Sequence, residues 1–236
     1  MIARIINLCV IDEENQNLSV GQKELLKWHF KLGHIGFDWL QWLARRKLLP
    51  YKIANVEKPL CASCRFGAGH RIPVGAEKHE VLSSAKGGAS TIKAEDLQPG
   101  QRISIDQYES RVRGRLWSSR ERTQAEAMYS GGTIFVDHAS GLIHVEHQVS
   151  LNAADTIVSK KNFERMAMYH GVGVQNYHGD NGAACTSREF AKHNEELDQG
   201  LTFSAVGVHH QNGVAERAIR TVVTLARTML LHAALR

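Results

Sequence analysis

Residues 172–190 read VGVQNYHGDNGAACTSREF, and residues 209–227 read HHQNGVAERAIRTVVTLAR. A short apolar run, Val172 to Tyr177, leads into Asp180, and the Asn181-Gly182 pair after it makes a tight turn. The second stretch has the 3.6-residue period of an amphipathic helix and carries Glu216. Thirty-five residues separate the two carboxylates. Upstream, Asp106 closes another strand-like run, Arg102-Ile-Ser-Ile-Asp106. Two carboxylates on strand ends and one on a helix form the pattern on which the remaining chain is read.

Such a trio suits a pair of divalent cations. Phosphodiester transfer by two metals uses hard oxygen ligands shared between ions about 3.5–4 Å apart. Mg²⁺ keeps several waters and takes one or two protein carboxylates per ion. Crowded without a cation, carboxyls repel and at least one pKa rises; bound cations reverse this and hold all of them ionised. Asp106, Asp180 and Glu216 are the expected ligands of two Mg²⁺ or Mn²⁺ ions. Asp137 is read differently, as a turn residue between two strands, where Asp is common.

A second group precedes these. His29, His34, Cys61 and Cys64 form an H-x4-H followed by a C-x-x-C. Two imidazoles and two thiolates make a tetrahedral zinc set. Residues five apart lie about 140° apart on a helix, so the histidines cannot both face one ion from an unbroken helix, and Gly33 supplies the break. Between the pairs, Phe37 to Leu49 reads as a helix with Phe37, Leu40, Leu43 and Ala44 on one face, stopped by Pro50. A unit this small has little core, and a metal would hold it together.

The chain has 236 residues, a formal charge of +5 and 43% hydrophobic residues. These values describe a globular protein of one or two domains with a mild basic excess suited to a phosphate-rich partner. No apolar run approaches the roughly 20 residues of a membrane span. Four cysteines, two of them in one C-x-x-C, point to metal in a reducing compartment rather than to disulfides. The organisation expected is an unassigned tail over 1–24, a zinc-binding domain over 25–75, a linker over 76–96 and a second domain over 97–236. Within the last, the strand ending at Asp106 gives way to a basic loop from Arg111 to Arg122. A hairpin follows across Ala139-Ser140-Gly141, and then a helix from Asn152 to about Tyr169 closed by Gly171. Next come a strand over Val172 to Tyr177 and a helix from Arg188 to Leu197 capped by Ser187. On the Glu216 helix, Val214, Ala218, Val222, Leu225 and Met229 share one side, while Glu216, Arg220 and Arg227 fall within about 40° on the other.

Asp106, Asp180, thirty-five residues and then Glu216 resemble the catalytic triad of retroviral-type integrases. The words GGTIFVDHASGLIHVEHQVS, YHGDNG and HHQNGVAERAIRT resemble integrases of copia-type long-terminal-repeat retrotransposons, and His29, His34, Cys61 and Cys64 resemble their zinc-binding amino-terminal domain. The similarity covers roughly residues 25 to 236; Ala183-Ala184-Cys185 departs from it where a larger apolar residue is usual. The resemblance implies an α/β fold, a ribonuclease H-like core of a mixed five-stranded sheet with flanking helices, preceded by a small helical zinc-binding domain. It implies a polynucleotidyl transferase that trims DNA 3′ ends and joins them to target DNA, with two Mg²⁺ or Mn²⁺ ions and one structural Zn²⁺. Its partners would be element ends, target DNA and further copies of itself, with action in the nucleus after cytoplasmic synthesis. Arg220, Arg227 and Asn212 are the expected nucleic-acid contacts. The alternative is a catalytically silent DNA- or protein-binding relic of a retroelement.

Overall fold

The computed structural model describes residues 17–69, 96–116, 127–204 and 212–234. The tail up to residue 16, nearly all of the expected linker and the arginines at 120 and 122 lie outside the described residues. Contacts divide the chain into two units. One holds the described residues up to 69 together with those from Thr221 onward; the other holds those from 96 to Arg220. The sequence assigns the whole Glu216 helix to the second domain, whereas by contacts its residues from Thr221 group with the first.

The first unit opens with helix α1, Val20–Lys31. Ser19 Oγ accepts from the Gln22 amide at 3.2 Å and Gln22 Oε1 accepts from the Ser19 amide at 2.9 Å, a capping box that satisfies two otherwise orphaned donors. Helix α2, Phe37–Arg45, follows, and a single 3₁₀ turn, Tyr51–Ile53, begins after Pro50. Leu25, Leu40, Ala44, Ile53 and Ala54 meet in a small core, with Trp28, Ile35, Phe37 and Leu49 packed against it. Helix α2 ends at Arg45, before the expected stop at Pro50. Lys47 adopts φ +63°, its amide bonds to Ala44 O and the Leu48 amide to Leu43 O. That pair of bonds is a Schellman ending, which closes the helix without help from the proline. A short helix α3, Ala62–Gly67, completes this part.

The second unit is built on a five-stranded sheet. Strands β1 (Ile103–Gly114), β2 (Tyr129–Asp137) and β3 (Ile143–Gln148) are antiparallel; β4 (Asn176–Gly179) and β5 (Gly200–Phe203) run parallel to β1. The order β3-β2-β1-β4-β5 is the mixed, ribonuclease H-like arrangement expected. Helix α4, Ala153–Tyr169, starts where the Asn152 side chain accepts from the Asp155 amide, and helix α5, Arg188–Glu196, starts where Ser187 accepts from Phe190. Alternation along β1 sends Ile103 and Ile105 to one face, where they join Phe135, Tyr177, Phe163, Cys185 and Phe190. Phe135 and Phe163 stack there at 4.7 Å.

Two strand expectations change. β4 spans Asn176–Gly179, not Val172 to Tyr177, because the Val172 amide bonds to Ala167 O in the Schellman ending of α4 and so cannot join a ladder. β1 runs on to Gly114 through a register shift after Glu109, so Arg111 and Arg113 stand on an exposed strand end rather than in a loop.

Helix α6, Gly213–Ala234, is continuous. Its covered positions are Ala215, Ala218, Thr228 and His232, whereas Met229 is 45% exposed. The expected apolar stripe therefore fails beyond Leu225. Within the first unit a Cβ on Gly67 would lie 3.0 Å from the Thr228 Cα, so α3 and this part of α6 approach closely at a small residue.

Candidate metal centres

His29 and His34 are brought together by a helix ending. Lys31 is the last helical residue, Gly33 takes φ +69° and His34 φ +64°. The Gly33 amide bonds to Phe30 O and the His34 amide to His29 O at 2.7 Å, the two bonds of a Schellman motif. In that motif the residues five apart are the ones that meet, so the H-x4-H spacing with glycine before the second histidine is itself the geometry. The site uses for two imidazoles the contact that two apolar side chains commonly make.

Around this corner His29 Nε2 lies 3.1 Å from His34 Nδ1 and 3.2 Å from Cys64 Sγ. His34 Nδ1 lies 3.5 Å from Cys61 Sγ and 3.4 Å from Cys64 Sγ. All four ligand atoms fall within 4.8 Å of one another. A tetrahedral zinc with ordinary bond lengths has edges of about 3.3 Å between nitrogens and about 3.6 Å between nitrogen and sulfur, so the donor set fits the ion in type and in span. The hydrogen bond between the thiols holds Cys61 well below its ordinary value, with help from His29 and His34 against the cost of burial. The same bond, burial and the Cys61 charge push Cys64 up. One thiolate forms readily beside the histidines, and a central dication would draw off the second proton.

The carboxylates are positioned by strand register. β1 pairs with β4 in parallel, Ile105 opposite Gly179, so Asp106 and Asp180 follow side by side at the end of that ladder. Asp106 Oδ1 accepts from the Gln107 amide at 2.8 Å, and Asp180 Oδ1 from the Gly182 amide at 3.0 Å. Burial first, then the charge of Asp180 and more weakly that of Glu216, pushes the Asp106 carboxyl up to about 6, against a smaller opposing pull from the Gln107 hydrogen bond. Cys185 stands close enough for its thiol to be pushed to about 12 by burial and by the charges of Asp180 and Asp106. Glu216 is exposed in the first turn of α6. The structure therefore gathers Asp106 and Asp180 tightly and Glu216 more loosely. Asp137 lies apart from them in role: its carboxylate accepts from the Gly100 amide and from Ser140.

The three expected nucleic-acid contacts part company. Asn212 is 2% exposed, and its Nδ2 donates to Ile105 O at 3.2 Å, one residue before Asp106. It ties the start of α6 to β1 instead of facing solvent. Arg227 donates to Gly67 O at 3.4 Å, placing a cation at the end of α3. Arg220 is exposed. Sequence reasoning missed Thr228 and His232, because their neighbours, Gly67 for one and Phe30 and His34 for the other, lie far away in the chain. A separate recess of about 290 Å³, lined by Leu97, Gln101, Arg102, Gln175, Asn176, Tyr177 and Thr202, lies where the β1–β4 ladder begins.

No family model matches the chain. Over 214 residues, 88% of the chain, it is 28% identical to the retrovirus-related Pol polyprotein from transposon TNT 1-94 of Nicotiana tabacum, and the match spans 14% of that polyprotein. Among solved structures it is similar to the intasome of simian T-cell lymphotropic virus in complex with PP2A regulatory subunit B56 gamma, at 18% identity over 56% of this chain and 47% of that one, with a TM-score of 0.42. It is also similar to the HTLV-2 integrase catalytic core domain in complex with magnesium, at 17% identity over 58% of this chain and 84% of that one, with a TM-score of 0.35. The chain is thus similar, over most of its length, to a retrotransposon Pol polyprotein, of which it spans about one seventh.

Proposed function

We propose that the chain carries out metal-dependent processing of DNA 3′ ends and their transfer into target DNA, with Asp106, Asp180 and Glu216 as the metal-holding carboxylates. The observation that carries this is the crowding of Asp106 by burial and by two other carboxylates, which leaves it near pKa 6. A folded protein gains nothing from such repulsion unless a cation relieves it. All three donors are hard oxygens, the chemistry Mg²⁺ or Mn²⁺ takes. When bound, such ions supply charge to the attacking and departing oxygens of an in-line displacement. The chain's own part is to hold the carboxylates. The β1–β4 register fixes two, and Asn212 anchors the first turn of α6 to the Ile105 carbonyl and so brings the third near. No side chain is required as a general base.

The His29, His34, Cys61 and Cys64 corner is read as a structural zinc site, since its four positions are filled by the protein. DNA and further copies of the chain are the partners. Among the described residues no helix is long and apolar enough to cross a membrane.

The test is strand transfer with a duplex bearing a recessed 3′-hydroxyl, a target plasmid and Mn²⁺. Joined product is expected from the wild type and none from Asp180→Asn, with zinc content and circular dichroism unchanged. Joining by the variant would remove Asp180 from the proposed triad, whereas cleavage without joining by the wild type would make the protein a nuclease.

A further inference from the structure

Each candidate zinc histidine presents one nitrogen to the cluster, which leaves the other to be held from outside. For His29 the outer nitrogen is Nδ1, which donates to Ile35 O at 2.8 Å, while the ring stacks on Phe37 at 4.4 Å. The outer nitrogen of His34 is Nε2, and it lies 2.7 Å from Nδ1 of His232, a residue 198 positions further on. Both rings are buried, His34 at 5% exposure and His232 at 8%. They meet edge to face at 4.8 Å, and Phe30 packs against both, 4.4 Å from His232 and 5.3 Å from His34. The backbone around it is fitted to this contact: Gly67 admits the Thr228 backbone one turn before, and Arg227 binds the Gly67 carbonyl.

We propose that His232 is a positioning residue of the metal centre: its Nδ1 accepts the Nε2 proton of His34 and thereby fixes His34 in the tautomer and ring orientation that offer Nδ1 to the ion. The inference rests on the reading of the His/Cys corner as a metal site. Metal-bound histidines need their second nitrogen bonded outward, because that bond selects the tautomer and raises the basicity of the ligating nitrogen. A backbone carbonyl serves His29. His34 Nε2 has a ring nitrogen, His232 Nδ1, in the corresponding place. Its acceptor comes from α6 instead. The rim of the zinc centre is therefore completed only when residues 221–234 are seated on α1 and α3, and metal affinity reports that seating.

The full chain is titrated with Co²⁺, and zinc affinity is measured by competition with a chelator, for the wild type, His232→Phe and His232→Asn. Phenylalanine keeps the packing on Phe30 but accepts no proton; asparagine keeps an acceptor but gives up most of the ring. The expected results are a zinc affinity lowered about 10- to 100-fold in His232→Phe, with altered cobalt d–d bands, and recovery of most of the affinity in His232→Asn. In the zinc-loaded wild type the His34 Nε2 proton should exchange slowly with water, and in His232→Phe quickly. Wild-type affinity in His232→Phe, or equal weakness in the two variants, would overturn the proposal and leave His232 a packing residue. A wild type that shows no thiolate-to-cobalt absorption would overturn the zinc reading itself, and the inference with it.

Discussion

Asp106 carries a carboxyl raised to about 6 from 3.8. A carboxyl raised in the folded state binds more protons folded than unfolded between those values, so its contribution to stability is present below about pH 4 and is lost as pH rises toward 6. Asp106→Asn is therefore expected to stabilise the metal-free protein at pH 7.5 by on the order of 1 kcal/mol, the partial exposure of the carboxyl reducing the full linkage value. At pH 4 it should change little. Denaturant melts at the two pH values decide it, and a loss of stability at both would mean that the carboxylate is held by partners instead of crowded by neighbours. The same proton competes with the cation, so Mg²⁺ binding should weaken as pH falls through about 6, with proton release on binding as the calorimetric sign. The His/Cys set was readable in the chain because its first pair rests on a local rule, the Schellman corner, whereas the neighbourhood of Asp106 and Asp180 depends on a register between distant strands. Asn212 was not readable in that way. Its polar side chain beside a glycine suggests solvent, and only the Ile105 carbonyl across the fold explains why it is buried.

At the scale of elements, caps predicted best. Asn152, Ser187 and Gly171 each stand where the chain's polar and glycine signals place them, since side-chain capping and positive φ act within a few residues. The endings on Lys47 and Asp198 escaped notice because non-glycine residues take the left-handed position there. Helix α4 carries a feature that no periodicity discloses. Lys160 is fully buried, with Nζ 2.9 Å from Glu164 and donating to Gln199 Oε1 at 2.6 Å and His193 Nδ1 at 3.1 Å. Tyr177 and Gln199 both donate to Glu164 Oε1, the oxygen that also faces Lys160 Nζ. Burial lowers the Lys160 pKa, with Glu164 pulling it back up. Removing one partner of such a pair leaves an uncompensated charge, so Lys160→Ala should cost about 3–5 kcal/mol, and the double change Lys160→Met with Glu164→Gln much less. A thermal or urea denaturation cycle measures both. Equal losses in the two would show that packing, not charge, sets the penalty.

For the molecule as a whole, contacts and sequence order do not coincide. The unit built on α1, α2 and α3 also takes in residues 221–234, while Glu216, on the same continuous helix, groups with the sheet. Its apolar core of five small and medium side chains is modest, so stripping zinc should melt this unit, residues 221–234 included, well below the temperature at which the sheet unfolds. Hydrogen exchange with and without chelator checks this: protection should vanish in Leu25, Leu40 and Thr228 and persist in Ile105 and Phe135. Simultaneous loss in both sets would mean that the units unfold as one. The 198-residue separation of His34 from His232 has a further consequence, in time instead of space. A ribosome emits the helical corner before the sheet, and its metal ligands can gather early. The side chain that orients one of them leaves the exit tunnel only after the entire sheet has been made, which at about 5–20 residues per second is a wait of roughly 10–40 s. A corner made before the sheet is thus finished only after it.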